Sequence, residues 1–205
     1  KVKSAFGTLN ANGGVIHGVT VGTHTITYEA TDACGNVATA TMKVTVQDDD
    51  PPTMVCEDKV LVSLTSDGTA VVSATSFDDG IVDNCCLKTV EIKKMTASDA
   101  TYAASVGFDC KDAKQDLMVV IRAKDCYGNA NTCMTEVVID DKAEPTIVCP
   151  AAKSIDCETD YSNLTAFGEP QAFDNCGVTL AVKVEQNIDN CGQGIIKRTW
   201  TAKDG

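Results

Sequence analysis

The sequence predicts an all-β fold of tandem Ig-like antiparallel β-sandwiches, disulfide-bonded and strung into an extended rod, and three observations lead to it. Apolar and polar residues alternate over Thr23 to Thr31, Thr39 to Val46, Val178 to Glu185 and Ile195 to Ala202, and no long stretch holds a helical period. Turn pairs such as Asp67-Gly68, Asp79-Gly80 and Gly128-Asn129 interrupt the chain at short intervals. A long stretch of the chain also matches itself without gaps at an offset of 93 residues, a length that suits a seven-stranded sandwich.

At that offset Asp32, Gly35 and Asn36 fall on Asp125, Gly128 and Asn129, and Asp48, Pro52, Thr53, Val55 and Cys56 fall on Asp141, Pro145, Thr146, Val148 and Cys149. The tripeptide Asp83-Asn84-Cys85 recurs as Asp174-Asn175-Cys176, and Thr199 to Asp204 reads as the strand that ends at Asp125. The expected organisation is the tail of one repeat over 1–47, a whole repeat over 48–140 and the front of a third over 141–205. On this reading the chain is a window on a longer array that continues at both ends. Pro51-Pro52 and Pro145 fall at the joints, where fixed φ and a missing N–H favour a stiff connection.

Composition narrows the function classes. The 205 residues carry 17 basic and 29 acidic side chains, a net charge of −12, which cannot supply a phosphate-neutralising face for nucleic acid. Cations are the natural counter-partners. No apolar run approaches the roughly 20 residues needed to cross a bilayer as a helix, and no membrane insertion is expected of this segment. Eleven cysteines without CxxC spacing argue for disulfides in an oxidising compartment, secreted or on a cell surface.

The whole repeat holds Cys56, Cys85, Cys86, Cys110, Cys126 and Cys133, an even number. Cys56 opens the first strand and Cys133 lies on the last, so these two are expected to pair. Cys110 should join Cys85 or Cys86 and Cys126 the other, because adjacent residues of a strand face opposite ways. In the third repeat Cys176 with Cys191 is the expected bond, with Cys149 and Cys157 awaiting partners beyond Gly205.

The stretches Arg198 to Gly205, Phe173-Asp174-Asn175-Cys176-Gly177, Pro145 to Pro150 and Tyr28 to Asn36 resemble the hyalin-type repeat. They are closest to its cysteine-rich relatives in tandem arrays on giant surface proteins, including gliding-motility adhesins and matrix or filament proteins. The resemblance implies an Ig-like sandwich, an extracellular location, an adhesive or structural role without catalysis, and a bond from first-strand to last-strand cysteine. The chain departs from the pattern at Ala40, where the last-strand cysteine is expected, and at Cys126, one position before the match to Cys34.

The leading expectation is therefore a non-catalytic structural segment of an extracellular rod, filament or appendage, whose partners are neighbouring repeats and further copies in a filament. The alternative is a calcium-dependent adhesin module that binds glycans or surface proteins. The carboxylate run Asp48-Asp49-Asp50, with Asp140-Asp141, offers hard oxygen ligands at the joints, and the turns Asp32 to Asn36 and Asp125 to Asn129 could approach them. Candidate Ca²⁺ ligands are thus Asp48, Asp49, Asp50, Asp140, Asp141, Asp32, Asn36, Asp125 and Asn129. The cluster Asp78, Asp79, Asp83 and Asn84, with Asp174 and Asn175, could approach from the other side. The competing reading is that Asp, Asn and Gly simply make good turns. Asn163-Leu164-Thr165 is an N-glycosylation sequon in a Ser/Thr-rich loop. No organic cofactor is indicated: His17 and His24 lack a partnered nucleophile or metal-binding helix, Gly192-Gln193-Gly194 opens no helix, and Trp200 reads as a core residue.

Overall fold

The computed structural model describes residues 2–4, 7–9, 17–156 and 158–204, and within them the chain is all-β with a few single-turn 3₁₀ segments. It forms two compact units. One comprises Lys1–Thr53, Val82–Thr89 and Ala123–Asn131, the other Met54–Ile81, Val90–Arg122 and Thr132–Gly205.

In the first unit β1 (Val2–Ser4), β2 (Gly7–Leu9), β3 (Gly22–Thr31) and β4 (Val37–Val46) form a sheet in the order β2-β1-β3-β4. β3 and β4 are rich in Thr and Val, which suit a pleated surface, and pair antiparallel from Gly22 opposite Val46 to Thr31 opposite Val37. Their turn is built by Asp32, whose Oδ1 accepts the backbone N–H groups of Cys34 and Asn36 at 2.9 and 2.8 Å. Gly35 takes the φ of 89° that the turn demands.

The second unit contains β5 (Lys59–Ser63), β6 (Thr69–Ser73), β8 (Ser105–Asp109), β11 (Thr146–Val148), β12 (Gln171–Phe173), β13 (Val178–Ile188) and β14 (Gly194–Asp204). β7 (Leu87–Lys94), β9 (Leu117–Asp125) and β10 (Ala130–Asp140) contribute residues to both units. The strands form a sheet in the order β5-β10-β9-β7 and three antiparallel pairs, β6-β8, β11-β12 and β13-β14. One pairing departs from the antiparallel expectation. β5 runs parallel to β10, Lys59 beside Glu136 through Ser63 beside Asp140.

β9 shows why the alternation matters. Leu117, Val119, Ile121 and Ala123 are buried in succession, the intervening residues are half-buried, and the next residue on the buried face is Asp125. Phe77, Ile92, Phe108, Val137 and Ile139 are likewise buried, and full burial of a large apolar side chain is worth about 1.5–3 kcal/mol. β14 repeats the alternation of β9, with Ile196, Arg198, Trp200 and Ala202 half-buried ahead of Asp204. The apolar row Leu180, Val182 and Val184 on β13 stays exposed.

Three disulfides join the described residues. Cys56, just before β5, bonds Cys133 on β10, as expected. Cys86 bonds Cys126, and the adjacent Cys85 is an exposed free thiol. Cys110 bonds Cys176, which corrects two expectations at once: Cys110 pairs with neither Cys85 nor Cys86, and Cys176 does not pair with Cys191. Cys191 sits exposed at the tip of the β13–β14 hairpin, whose eleven rungs carry it about 35 Å from Cys176 at the base. Cys149 is free and exposed, and Cys157 and Gly205 lie outside the described residues.

The Cys110–Cys176 bond rests on a glycine. Gly68 has φ +74°, and a Cβ there would stand 2.7 Å from Cys110 Sγ and 3.0 Å from the carbonyl oxygen of Asn175. Gly68→Ala is expected to cost about 1–3 kcal/mol through left-handed strain and that clash, read as a lower urea midpoint. Gly18→Ala, with a similar φ of 71° and open space around it, isolates the strain alone.

Candidate metal centres

The acidic side chains converge at two places. Asp48, Asp83 and Asp125 each bring a carboxylate oxygen within 4.8 Å of the others, and Asp141, Asp174 and Asp204 do the same. The two clusters occupy equivalent positions: Asp141 follows Asp48 by 93 residues, Asp174 lies in the second Asp-Asn-Cys, and Asp204 ends the strand equivalent to β9.

Local folding explains how each carboxylate is held. In the first cluster Asp83 Oδ1 accepts the backbone N–H groups of Cys85 and Cys86 at 3.0 and 2.6 Å. Asp125 Oδ1 accepts those of Tyr127, Gly128 and Asn129 at 2.9, 2.6 and 2.8 Å. The Asn129 amide then donates to Asp125 Oδ2 at 2.7 Å and to the Asp48 carbonyl at 2.9 Å, tying the turn to the linker. In the second cluster Asp174 Oδ1 accepts from Cys176 N at 2.8 Å, and Asp141 Oδ1 accepts from Ala143 N and from the Asn175 amide at 3.1 and 3.0 Å.

One oxygen of Asp48, Asp83, Asp141 and Asp174 thus folds a loop, and the other is left over: Oδ2 of these four, and Oδ1 of Asn175, are buried without a hydrogen-bond partner, whereas Asp125 uses both oxygens within its turn. Asp48 is only 8% exposed and Asp125 only 1%. Buried acceptors left unpaired are costly, and unit charges at the 4.8 Å spacing repel by about 3.5 kcal/mol per pair at an effective dielectric of 20. A hard divalent cation would satisfy the orphaned oxygens and reverse the sign of the repulsion, and the donor set, carboxylates with an amide oxygen at hand, is the one Ca²⁺ takes.

Burial pushes the Asp125 carboxyl up, but the Asn129 amide and the N–H groups of Gly128, Tyr127 and Asn129 outweigh it and hold the group below the usual carboxylate range. The stabilisation from a depressed pKa is fully present above the unfolded value of about 3.9 and is lost as pH falls through the lower folded value. Urea midpoints measured in EDTA are therefore expected to fall below about pH 4, and less steeply in Asp125→Asn.

Not every expected ligand joins a cluster. Asp49 and Asp50 are exposed beside buried Asp48; alternation along an extended segment turns Asp49 away from it. Asp50 accepts from the Asn84 amide at 3.4 Å, and Asp140 faces Lys142 at 3.6 Å. Asp32 binds its own turn, taking the Asn36 amide at 2.8 Å, and belongs to no cluster among the described residues. Asn129 acts as a brace through its amide N–H groups rather than as an oxygen ligand. Asp83, Asp174 and Asp204 are the cluster members that the carboxylate runs did not single out; the signal for the first two was the recurring Asp-Asn-Cys. Asn163 is exposed, and its Oδ1 accepts from Thr165 N and Thr165 Oγ1 at 3.2 and 2.7 Å.

No protein-family model and no curated protein matches the chain. Among solved structures it is similar to "PcdhgB3 EC1-4 in 50 mM HEPES", at 14% sequence identity and a TM-score of 0.32, over 100% of this chain and 55% of that one.

Proposed function

We propose that the chain is a structural segment of a hyalin-type repeat array working outside the cell, with Ca²⁺ and disulfides stiffening the joints between repeats. The role is mechanical and no catalytic step is assigned to it. The observation that carries the reading is the recurrence, at equivalent sequence positions, of three converging carboxylates, two of which in each cluster keep a buried unpartnered oxygen. A turn-forming aspartate needs only the oxygen that binds its loop, and a cation would give the second oxygen of Asp48, Asp83, Asp141 and Asp174 its partner. Three disulfides support an oxidising, extracellular setting. In a eukaryotic secretory route the exposed Asn163 would carry a glycan.

In this role Asp48, Asp83 and Asp125 would hold one ion and Asp141, Asp174 and Asp204 another, each ion cancelling two of three negative charges. Small-angle scattering of the oxidised chain in millimolar Ca²⁺ and in EDTA tests the reading. Greater length and a narrower length distribution in Ca²⁺ are expected, and superimposable curves would refute a cation-stiffened joint. Ca²⁺-dependent capture of a glycan by a chain whose scattering does not change would favour the adhesin instead.

A further inference from the structure

The first cluster is built on a disulfide in a way that the second is not. Cys86 lies three residues after Asp83, and Cys126 is the residue after Asp125, so the Cys86–Cys126 bond, with Cα atoms 5.6 Å apart, closes the two ligand loops on each other. Both loops depend on backbone groups at the bonded residues: Asp83 Oδ1 takes the Cys86 N–H, and Cys126 N donates to the Cys86 carbonyl at 3.0 Å. The third ligand, Asp48, is 8% exposed with an unpartnered Oδ2. In the second cluster Cys176 is bonded to Cys110, and no disulfide joins the Asp174 loop to Asp204.

We propose that the Cys86–Cys126 disulfide sets the cation affinity of the Asp48–Asp83–Asp125 cluster, so that reduction of this one bond weakens that site, while its loss alone leaves the Asp141–Asp174–Asp204 site unchanged. The proposal rests on the cation reading above. A flexible pair of loops must be ordered when the ion binds, whereas a cross-linked pair is ordered beforehand, and the difference appears as affinity. Reduction would break the S–S bond with two electrons and two protons from a dithiol, which becomes a disulfide, leaving thiols at Cys86 and Cys126. Both cysteines act as positioning residues; neither sulfur touches the ion. The effect matches that of groups that orient metal ligands, at about tenfold in affinity. By reciprocity, Ca²⁺ makes the bond harder to reduce, by about 30 mV for a tenfold change in affinity.

Calorimetric titration of the full oxidised chain with CaCl₂ tests this. Asp204→Asn silences the second site, and in that background adding Cys86→Ser and Cys126→Ser is expected to weaken binding about tenfold. In an Asp83→Asn background, where only the second site remains, the same pair of serines is expected to change nothing. The reciprocal readout needs no variant: mass mapping of alkylated thiols should place the Cys86–Cys126 midpoint potential about 30 mV lower in Ca²⁺ than in EDTA. Equal affinities with and without the bond, or equal potentials with and without Ca²⁺, would overturn the coupling. Absence of Ca²⁺ uptake by the unsubstituted oxidised chain would instead overturn the cation reading beneath it.

Discussion

Transfer of the oxidised chain from millimolar Ca²⁺ to excess EDTA is expected to lower its melting temperature by about 5–10 °C for each occupied cluster. The size follows from mass action: a ligand at 100 times its Kd stabilises the folded state by about 2.7 kcal/mol, and a chain of this length moves about 2–4 °C per kcal/mol. The direction follows from the geometry. With the ion removed, Asp48 and Asp83 keep buried oxygens with no partner, and three carboxylates face one another within 4.8 Å. Asp48→Asn removes one charge from the first cluster, and the EDTA-dependent shift should fall by the share of that cluster alone. Differential scanning calorimetry at two Ca²⁺ concentrations checks both statements, since the shift must grow with the logarithm of free Ca²⁺.

Removing the Cys56–Cys133 bond by paired substitution to alanine is expected to cost about 4 kcal/mol. The bond closes a loop with a sequence separation of 77 residues, and cross-linking a loop of that length takes about 4 kcal/mol of chain entropy from the unfolded state. Cys56 also makes an isolated bridge with Asp78, and β5, which follows it, pairs with β10, the strand carrying Cys133. Loss of the bond therefore frees the edge of the sheet as well as the chain. Urea unfolding should show the midpoint falling with a larger denaturant dependence, because the unfolded ensemble becomes less compact. Retention of the native midpoint would mean that the edge pairing holds the repeat without its staple.

Much of this architecture was legible because strand alternation and repeat register are local. β3, β4, β13 and β14 cover the stretches where apolar residues alternate, and β9 carries that alternation through to Asp125, placing a carboxylate on the buried face. The recurrence of Asp48 at Asp141 and of Asp83 at Asp174 was visible as a match of sequence with itself. What such a match cannot show is which way a side chain turns. Asp48, Asp49 and Asp50 look alike in a run of acids, yet only Asp48 enters a cluster, and Asp204 drew no notice because it stands alone at a strand end.

The cysteines show another limit. Six cysteines over 48–140 satisfy a rule of even number, but evenness is preserved when Cys85 stays free and Cys110 bonds Cys176 outside that range. Parity therefore does not separate bonds within a repeat from bonds across its boundary. Proximity in sequence misled in the same way for Cys176 and Cys191, which the length of the β13–β14 hairpin holds apart. The contact that decides Cys110–Cys176 is made by Gly68 and Asn175, residues far apart in the chain and ordinary in themselves.

The most direct test of the central claim is the number of ions the chain takes up. Isothermal titration of the metal-stripped, oxidised chain with CaCl₂ should give two ions per chain, falling to one in Asp48→Asn or in Asp204→Asn and to none in the double variant. Uptake of no Ca²⁺, or an unchanged count in the double variant, would contradict the account and leave the aspartates as turn formers alone.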